Sequence, residues 1–304
     1  MKNFSRNIIN RLSRFWVLFY NTVYYLCVSI WRKDIVVNAL IDQRCSKLIH
    51  TNFGDDLNYY LIQELFGRRI ITVNNLLLKN LGFKMTNFSC IGSIVDLLGD
   101  DKTVIWGAGA ILGNRPLRNK PLKVLCVRGP LTRNYLLEQG VDCPECYGDP
   151  ALLLPKLYVP NVKKIYRVGI VAHYVDLDNI IIHDWIKSGK GTVKLIDVVH
   201  YKHWHDIVDE INSCEYIISS SLHGLIVADA YNIPNVWVEF SNKVYGSGFK
   251  FRDYYASIGK KNVSPVIVNN EDELEKLMIY KEGWSQIRFD VTGLVESCPF
   301  NRLL

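Results

Sequence analysis

Short apolar runs recur along this chain, each followed by a polar or glycine-containing turn and then by apolar residues at helical spacing. Residues 216–240 show the pattern most clearly. Residues 216–218 predict a buried strand, the apolar positions from 225 to 230 predict a helix, and residues 236–240 predict the next strand. A strand, a helix and a second strand at this spacing predict one right-handed βαβ unit.

The same pattern predicts elements along the rest of the chain. Strands are predicted at residues 35–41, 89–97, 103–106, 123–127, 167–172 and 194–199. Helices are predicted at residues 57–65, 131–138, 180–187, 249–258, 271–280 and 284–297. A further helix is predicted to end near Ser213. A polar segment with two prolines, residues 155–164, is predicted to be a linker. The sequence therefore predicts an α/β protein with two Rossmann-like domains, residues 35–160 and 161–304.

Polar residues follow the predicted strand at residues 216–218. Because the carboxyl ends of parallel strands are where α/β proteins bind ligands, Ser220, Ser221, His223 and Gly224 are candidate site residues. The following helix begins there, and its free N–H groups suit an anion. A histidine at this position can exchange a proton near neutral pH. The alternative is that His223 only caps the helix.

Other strand ends and turns carry further candidates. The candidates for donor or substrate binding are Asn52, Gly54 and Asp55 in a turn-rich loop, Gly107 and Gly109 after residues 103–106, His173 after residues 167–172, and Lys250 near the C-terminal end. Arg128 follows residues 123–127, and its planar guanidinium matches a carboxylate or phosphate. Asp55 would alternatively cap a helix, and Asp149 is either a turn residue, which we favour, or an acid of the cleft.

The net charge of +6 is concentrated at the N-terminus, because residues 1–33 contain six basic residues and no acidic one. A nucleic-acid-binding protein would spread such charge over its folded surface, so nucleic acid is not predicted as a partner. Residues 15–31 are apolar and aromatic but are interrupted by Asn21 and Thr22. We therefore predict that residues 1–34 form an amphipathic helix on a membrane surface, with packing on the protein's own core as the alternative.

The cysteines and histidines do not indicate a metal site. Most of the eight cysteines lie in apolar runs, as buried free thiols of a reducing cytoplasm do. Cys143 and Cys146 form a single CxxC pair without a second pair. His200, His203 and His205 are poorly spaced for one face of a helix. No metal or other cofactor is predicted, and the predicted location is the cytoplasmic face of a membrane.

Several stretches, in this order, resemble the polysaccharide pyruvyl transferase family. They are NFGDDLN (residues 52–58), WGAGAI (106–111), VRGPLTR (127–133) with YGDPALLLP (147–155), GIVAHYVD (169–176) and SSSLHGLIVADAYNIP (219–234), and KFRDYYASIG (250–259) fits a common ending. The resemblance implies two domains facing across a cleft, as in the GT-B type. It also implies that Arg128 is a donor-binding residue.

The resemblance further implies transfer of the enolpyruvyl group of phosphoenolpyruvate to a sugar of a glycan or lipid-linked precursor, which gives a pyruvate ketal. In that chemistry we predict His223 as the acid and Arg128 as the anion clamp, with His173 and Lys250 assisting. Many members of the family have arginine two positions before the histidine, where this chain has Ser221. Lys250 or Arg252 could supply that charge. Two alternatives stay open: a glycosyltransferase that uses a nucleotide sugar, and a non-enzymatic scaffold in glycan assembly.

Overall fold

The computed structural model describes residues 2–45, 47–270, 273–287 and 289–300. Its strands are β1 (Ile35–Val37), β2 (Asp42–Arg44), β3 (Lys47–Ile49), β4 (Ile70–Thr72), β5 (Asn87–Ser89), β6 (Thr103–Trp106), β7 (Lys123–Cys126), β8 (Val168–Val171), β9 (Val193–Leu195), β10 (Ile217–Ser219), β11 (Asn235–Glu239) and β12 (Val266–Ile267). Most of these short strands are buried, as is typical of parallel sheets with helices on their faces.

The α-helices occupy the segments between and beyond the strands. They are α1 (Lys2–Tyr24), α2 (Ile30–Arg32), α3 (Phe53–Phe66), α4 (Leu77–Asn80), α5 (Val95–Leu98), α6 (Pro130–Glu138), α7 (Leu154–Leu157), α8 (Ile180–Ser188), α9 (Trp204–Asn212), α10 (Leu222–Ala230), α11 (Phe249–Ser257), α12 (Glu273–Glu282) and α13 (Thr292–Glu296). Local sequence explains several ends. Pro130 begins α6 at a position where its missing N–H costs nothing, and Gly67 ends α3 in the left-handed region.

Two five-stranded parallel sheets organise the molecule. Their strand orders are β4-β1-β5-β6-β7 and β12-β11-β10-β8-β9, and β2 and β3 form a separate antiparallel pair. Taken in chain order, both sheets have the doubly wound order 2-1-3-4-5. The direction of winding reverses between β1 and β5 in the first sheet and between β8 and β10 in the second. The predicted α/β class is confirmed.

The two sheets are joined by a common core. One cluster of buried residues contains Trp106 from the first sheet together with Ile217 and Phe251 from the second half of the chain. Helix α10 is central to this packing, because all nine of its residues are buried. It contacts β10, β11 and α3, and also the short 3-10 helix Pro150–Leu153. The N-terminus of α10 is therefore held against segments of both halves.

Several predicted elements are shorter than the apolar pattern suggested. The strand predicted at residues 89–97 is wrong: β5 ends at Ser89, the Asn58 side chain bonds the backbone N–H and carbonyl of Ile91, and α5 follows. The strand predicted at 194–199 stops at Leu195, because Asp197 accepts hydrogen bonds from the N–H groups of Val199 and His200 in a turn.

The C-terminal helices also differ from the prediction. Among the described residues of the helix predicted at 284–297, only Thr292–Glu296 is helical, because the Asp290 carboxylate accepts the Thr292 N–H and begins the helix there. In the helix predicted at 271–280, positions 271 and 272 lie outside the described residues, and the described helix α12 extends to Glu282.

Polar residues of the N-terminal helix α1 attach it to the β2–β3 pair and to α4. Asn21 is fully buried, where its side chain donates to the Gln43 carbonyl and accepts the Cys45 N–H. Thr22 accepts the N–H of Leu77. Large apolar side chains on the other faces are exposed: Phe15, Trp16, Phe19, Tyr20, Val23, Leu26, Ile30 and Trp31. None of the described helices is long and apolar enough to cross a bilayer.

Candidate active site

A cavity of about 310 Å³ lies at the carboxyl ends of strands from both sheets. It is lined by Leu40, Asn52, Asp55, Gly92, Ser93, Ile111, His173, Tyr174, Ser221, Leu222, His223, Tyr245 and Lys250. The loops after β1 and β5 contribute from the first sheet, and those after β8 and β10 from the second. The cavity therefore lies where the winding of each sheet reverses, which is where doubly wound folds bind ligands.

His223 lies in the first turn of α10 and is nearly buried, with a side-chain exposure of 11%. Its Nε2 atom is 3.7 Å from Oδ2 of Asp149, and neither atom has a hydrogen-bond partner among the described residues. The other oxygen of Asp149 accepts the Ala151 N–H and begins the 3-10 helix on which α10 packs. Asp149 is thus both a turn residue, as predicted, and a buried carboxylate directed at His223.

Gly54 makes room for the His223 ring. A β-carbon on Gly54 would lie 2.1 Å from Nδ1 of His223, a distance that no side chain tolerates. Beside it, Asp55 accepts a hydrogen bond from the Asn52 side chain, and both line the cavity. Burial raises the pKa of Asp55, although the Asn52 hydrogen bond and the His223 and Lys250 charges oppose this shift. A raised pKa makes Asp55 a stronger base than an exposed aspartate.

His173 faces the cavity directly after β8. Burial, and to a smaller extent the nearby Lys250 charge, lowers its pKa to about 3, so the ring is neutral near pH 7. Its Nδ1 accepts the N–H of Val175 at 3.4 Å. In a neutral ring the other nitrogen, Nε2, then carries the proton, so His173 is a hydrogen-bond donor rather than a cation.

Lys250, in the first turn of α11, supplies the cavity with a positive charge. The residue is only 9% exposed, and it has no ion-pair partner among the described residues. Burial lowers its pKa to about 8, with the Arg128 charge acting in the same direction and Asp55 opposing it. A nearly buried cation without a partner is costly, so an anion bound in the cavity would stabilise it.

Arg128 lies behind the cavity wall rather than in it. Its side chain is fully buried, and it donates to Asp253 (3.0 Å from Nε), to the Ser93 hydroxyl and to the Ala110 carbonyl. The prediction that Arg128 reaches across the cleft to hold the donor anion does not match this placement. The guanidinium instead forms a salt bridge with Asp253, which is distant in sequence.

Besides Arg128 and Gly54, four other predicted residues do not line the cavity. The β-carbon positions of Gly107, Gly109 and Gly224 are occupied by Pro150, the Arg128 guanidinium, and Ser219 with Val171, respectively. These glycines allow close packing of the protein on itself, not the approach of a substrate. Ser220 is buried; its hydroxyl donates to Asp176 and accepts the His173 N–H. It therefore positions His173.

The sequence analysis missed several lining residues. Tyr245 follows the strand predicted at residues 236–240, so the strand-end rule could have found it. Leu40, Gly92 and Ser93 lie inside the strands predicted at residues 35–41 and 89–97, and they follow a strand only because β1 and β5 end earlier than predicted. Gly92 has φ of +112°, and a side chain there would approach Asp55.

The described residues contain no group of three or more histidine, cysteine or acidic side chains arranged to hold a metal. His203 takes part in a capping box at the start of α9, and His200 pairs with Asp197. All eight cysteines are free.

Comparison with known proteins gives the family. The sequence profile of the family described as Polysaccharide pyruvyl transferase matches residues 52–242. An uncharacterized protein of Acanthamoeba polyphaga mimivirus is 28% identical over 240 residues, which is 75% of this chain and 76% of that protein. The succinoglycan biosynthesis protein ExoV of Rhizobium meliloti (strain 1021) is 28% identical over 217 residues, which is 69% of this chain and 62% of ExoV. Because the profile covers more than half of the chain, this chain belongs to the polysaccharide pyruvyl transferase family.

Proposed function

We propose that this protein transfers the enolpyruvyl group of phosphoenolpyruvate to a sugar and forms a pyruvate ketal on a glycan precursor. The observation that carries the proposal is the pairing, in one cavity, of an unpartnered buried cation, Lys250, with a histidine backed by a carboxylate, His223 and Asp149. The first element suits an anionic donor and the second suits proton transfer. Family membership supports the reaction class.

In the proposed reaction, His223 gives a proton to the methylene carbon of phosphoenolpyruvate, and positive charge develops on the carbon that carries the phosphate. A sugar hydroxyl attacks that carbon and loses its proton. Inorganic phosphate then departs with the bonding electrons, and a second hydroxyl of the same sugar closes the ketal. One of the two hydroxyl protons restores His223 and the other leaves with phosphate. No metal or cofactor is needed.

The residues have distinct roles in this scheme. Asp149 orients the His223 ring through Nε2, and the 3.7 Å distance between Nε2 and the Asp149 carboxylate shortens once the ring is protonated and substrate is bound. The other ring nitrogen, Nδ1 beside Gly54, delivers the proton. Lys250 and the N–H groups at the start of α10, which no side chain caps, bind the donor's carboxylate and phosphate. Neutral His173 donates a hydrogen bond. Asp55, held by Asn52, accepts the proton of a sugar hydroxyl.

We propose further that the acceptor is presented at a membrane surface, on the cytoplasmic side, and that α1 holds the protein there. The support is the exposed aromatic side chains Trp16 and Phe19 of α1 and Trp31 of α2, together with the basic residues of residues 1–33. Basic aromatic helices of this kind bind in the interface of anionic membranes.

The test of the reaction is direct. The purified protein is incubated with lipid-linked glycans and either phosphoenolpyruvate or nucleotide sugars, and release of phosphate or nucleotide is measured. Acceptor-dependent phosphate release from phosphoenolpyruvate supports the proposal. Nucleotide release from a nucleotide sugar, without phosphate release from phosphoenolpyruvate, would identify a glycosyltransferase instead.

A further inference from the structure

A second concave surface, which we call the outer groove, lies beside the cavity. It has a volume of about 480 Å³ and is lined by Thr51, Tyr174, Leu177, Asp178, His183, Leu195, Asp197, Val199 and His200. Tyr174 lines both the outer groove and the cavity. A ligand too large for the cavity can therefore continue over Tyr174 into a space whose size is ordinary for a small-molecule site, roughly 300–1,000 Å³.

Tyr174 is an exposed aromatic ring held in a fixed position. It is 54% exposed, and its ring centroid is 4.4 Å from that of His173. It begins the 3-10 helix Tyr174–Asp176, which is capped by Nδ1 of His173. The Asp176 carboxylate is fixed at the other end by the hydroxyls of Ser220 and Ser241. A rigid, half-exposed aromatic ring binds an amphipathic partner at little cost in conformational entropy.

The charge of the outer groove differs from that of the cavity. None of the described residues that line it is a lysine or arginine. Asp197 is occupied by its own turn, whereas the exposed Asp178 makes no hydrogen bond or ion pair within the described part of the chain. Carboxylate and imidazole groups beside an aromatic ring suit neutral hydroxyls and disfavour anions, in contrast to the cavity with its Lys250.

We propose that the outer groove binds the glycan acceptor beyond the sugar that reacts, as neutral sugar rings, with the first ring stacked on Tyr174 and its hydroxyls bonded to Asp178. This inference rests on the proposed function, because it takes the cavity as the place where donor and reacting sugar meet. It assigns the recognition of acceptor length to the groove and donor recognition to the cavity.

The test measures sugar binding without turnover. Calorimetric affinities of the full-length protein are measured for neutral mono-, di-, tri- and tetrasaccharides of glucose, galactose and mannose, and for oligouronic acids of equal length. We expect affinity to increase with neutral chain length and to change little between low and high salt. Tyr174→Ala should bind tetrasaccharide roughly tenfold more weakly, which is about 1.4 kcal/mol. Asp178→Ala should also weaken tetrasaccharide binding without changing the affinity for phosphoenolpyruvate.

Two matched variants control for folding and for exposure. Tyr174→Phe keeps the ring and should bind like the unmodified protein, and so should Tyr280→Ala, which removes a tyrosine of similar exposure, 51%, on α12. Tetrasaccharide affinity no higher than that for monosaccharide, tighter binding of the uronic acids, or normal binding by Tyr174→Ala would each overturn the proposal. Length-dependent binding without phosphate release from phosphoenolpyruvate would instead contradict the proposed reaction and leave the groove assignment standing.

Discussion

At the scale of single residues, the site depends on one histidine between a glycine and a carboxylate. Gly54 removes the β-carbon that would collide with Nδ1 of His223, and Asp149 lies behind Nε2. Both residues come from the first half of the chain, whereas His223 comes from the second. The ring is therefore oriented by contacts between the halves rather than by its own helix.

We expect His223→Ala to abolish turnover while the fold is kept. Loss of a general acid reduces the rate by roughly 10²–10⁴-fold. Asp149→Asn should lower turnover less, because the ring remains but loses the charge that orients it. The measurement is phosphate release at saturating phosphoenolpyruvate, with donor affinity and melting temperature determined in parallel. Near-normal turnover in His223→Ala would contradict the role of His223 as the acid.

We expect donor affinity to depend on the charge of Lys250. Its pKa is lowered to about 8, so raising the pH through 8 deprotonates the amine and removes the charge that attracts the anion. The dissociation constant of phosphoenolpyruvate should then rise by up to tenfold per pH unit. Lys250→Arg should show no such rise up to pH 9.5, since a guanidinium stays protonated. Lys250→Met should bind roughly 10- to 100-fold more weakly than the unmodified protein below pH 8, and this difference should narrow above pH 8 as the lysine loses its proton. A pH-independent affinity in the unmodified protein would contradict this role.

At the scale of elements, α1 has an unusual arrangement. Asn21 and Thr22, the polar interruption of its apolar stretch, are the residues that face the protein. Packing of the apolar face on the core was the alternative considered from the sequence. Among the described side chains in residues 13–31, Tyr24 and Tyr25 pack in this way, against Val36 and its neighbours. The aromatic side chains of Phe15, Trp16, Phe19 and Tyr20 are exposed.

We expect the substitution of Trp16, Phe19 and Trp31 together by serine to abolish binding to anionic vesicles without unfolding the protein. The three side chains are at least 40% exposed, so few intramolecular contacts are lost. Replacing Arg14, Arg32 and Lys33 by glutamine should weaken binding by about 1 kcal/mol per charge. Sedimentation with anionic and with neutral vesicles measures both effects, and circular dichroism checks the fold. Unchanged sedimentation of the aromatic variant would exclude α1 as the anchor.

At the scale of the whole molecule, contacts between the halves shape the cavity. The buried Arg128–Asp253 pair connects the end of β7 to α11. Two side-chain hydrogen bonds, from Tyr201 to Asp56 and from Trp204 to Glu64, connect the second half to α3. These contacts join donors of one half to acceptors of the other. Removing one of them should therefore lower the free energy of unfolding before it lowers turnover.

We expect Arg128→Ala to destabilise the protein by about 3–5 kcal/mol, because Asp253 would remain buried without its partner. The combined replacement Arg128→Met with Asp253→Leu should recover much of this loss, since no buried charge remains. Urea unfolding of both variants measures the difference. If Arg128→Ala keeps full stability and loses only donor affinity, the arginine moves into the cavity when the donor binds, as the sequence-based prediction had it.

Sequence pattern alone was sufficient for the class of the fold and for several of the residues that line the cavity. Short apolar runs alternate along the chain with segments whose apolar residues recur at helical spacing. This pattern was enough to predict the α/β class, because local periodicity determines which residues a strand or a helix buries. The rule that ligands bind at strand ends correctly placed Asn52, Asp55, His173, Ser221, His223 and Lys250 around one cavity. Each of these residues is brought to the cavity by the end of its own strand or the start of its own helix, and only the orientation of the His223 ring depends on contacts between the halves.

The directions in which the Arg128 and Asp149 side chains point depend on the tertiary structure. Arg128 also lies at a strand end, but Asp253, 125 positions later, draws its guanidinium into the interior. Asp149 has the sequence context of a turn, and its Oδ2 atom faces the His223 ring only because α10 packs on that turn. Gly107, Gly109 and Gly224 face other parts of the protein for the same reason. The direction of a side chain at an interface depends on which distant residue comes to lie beside it, and local sequence pattern carries no information about that neighbour.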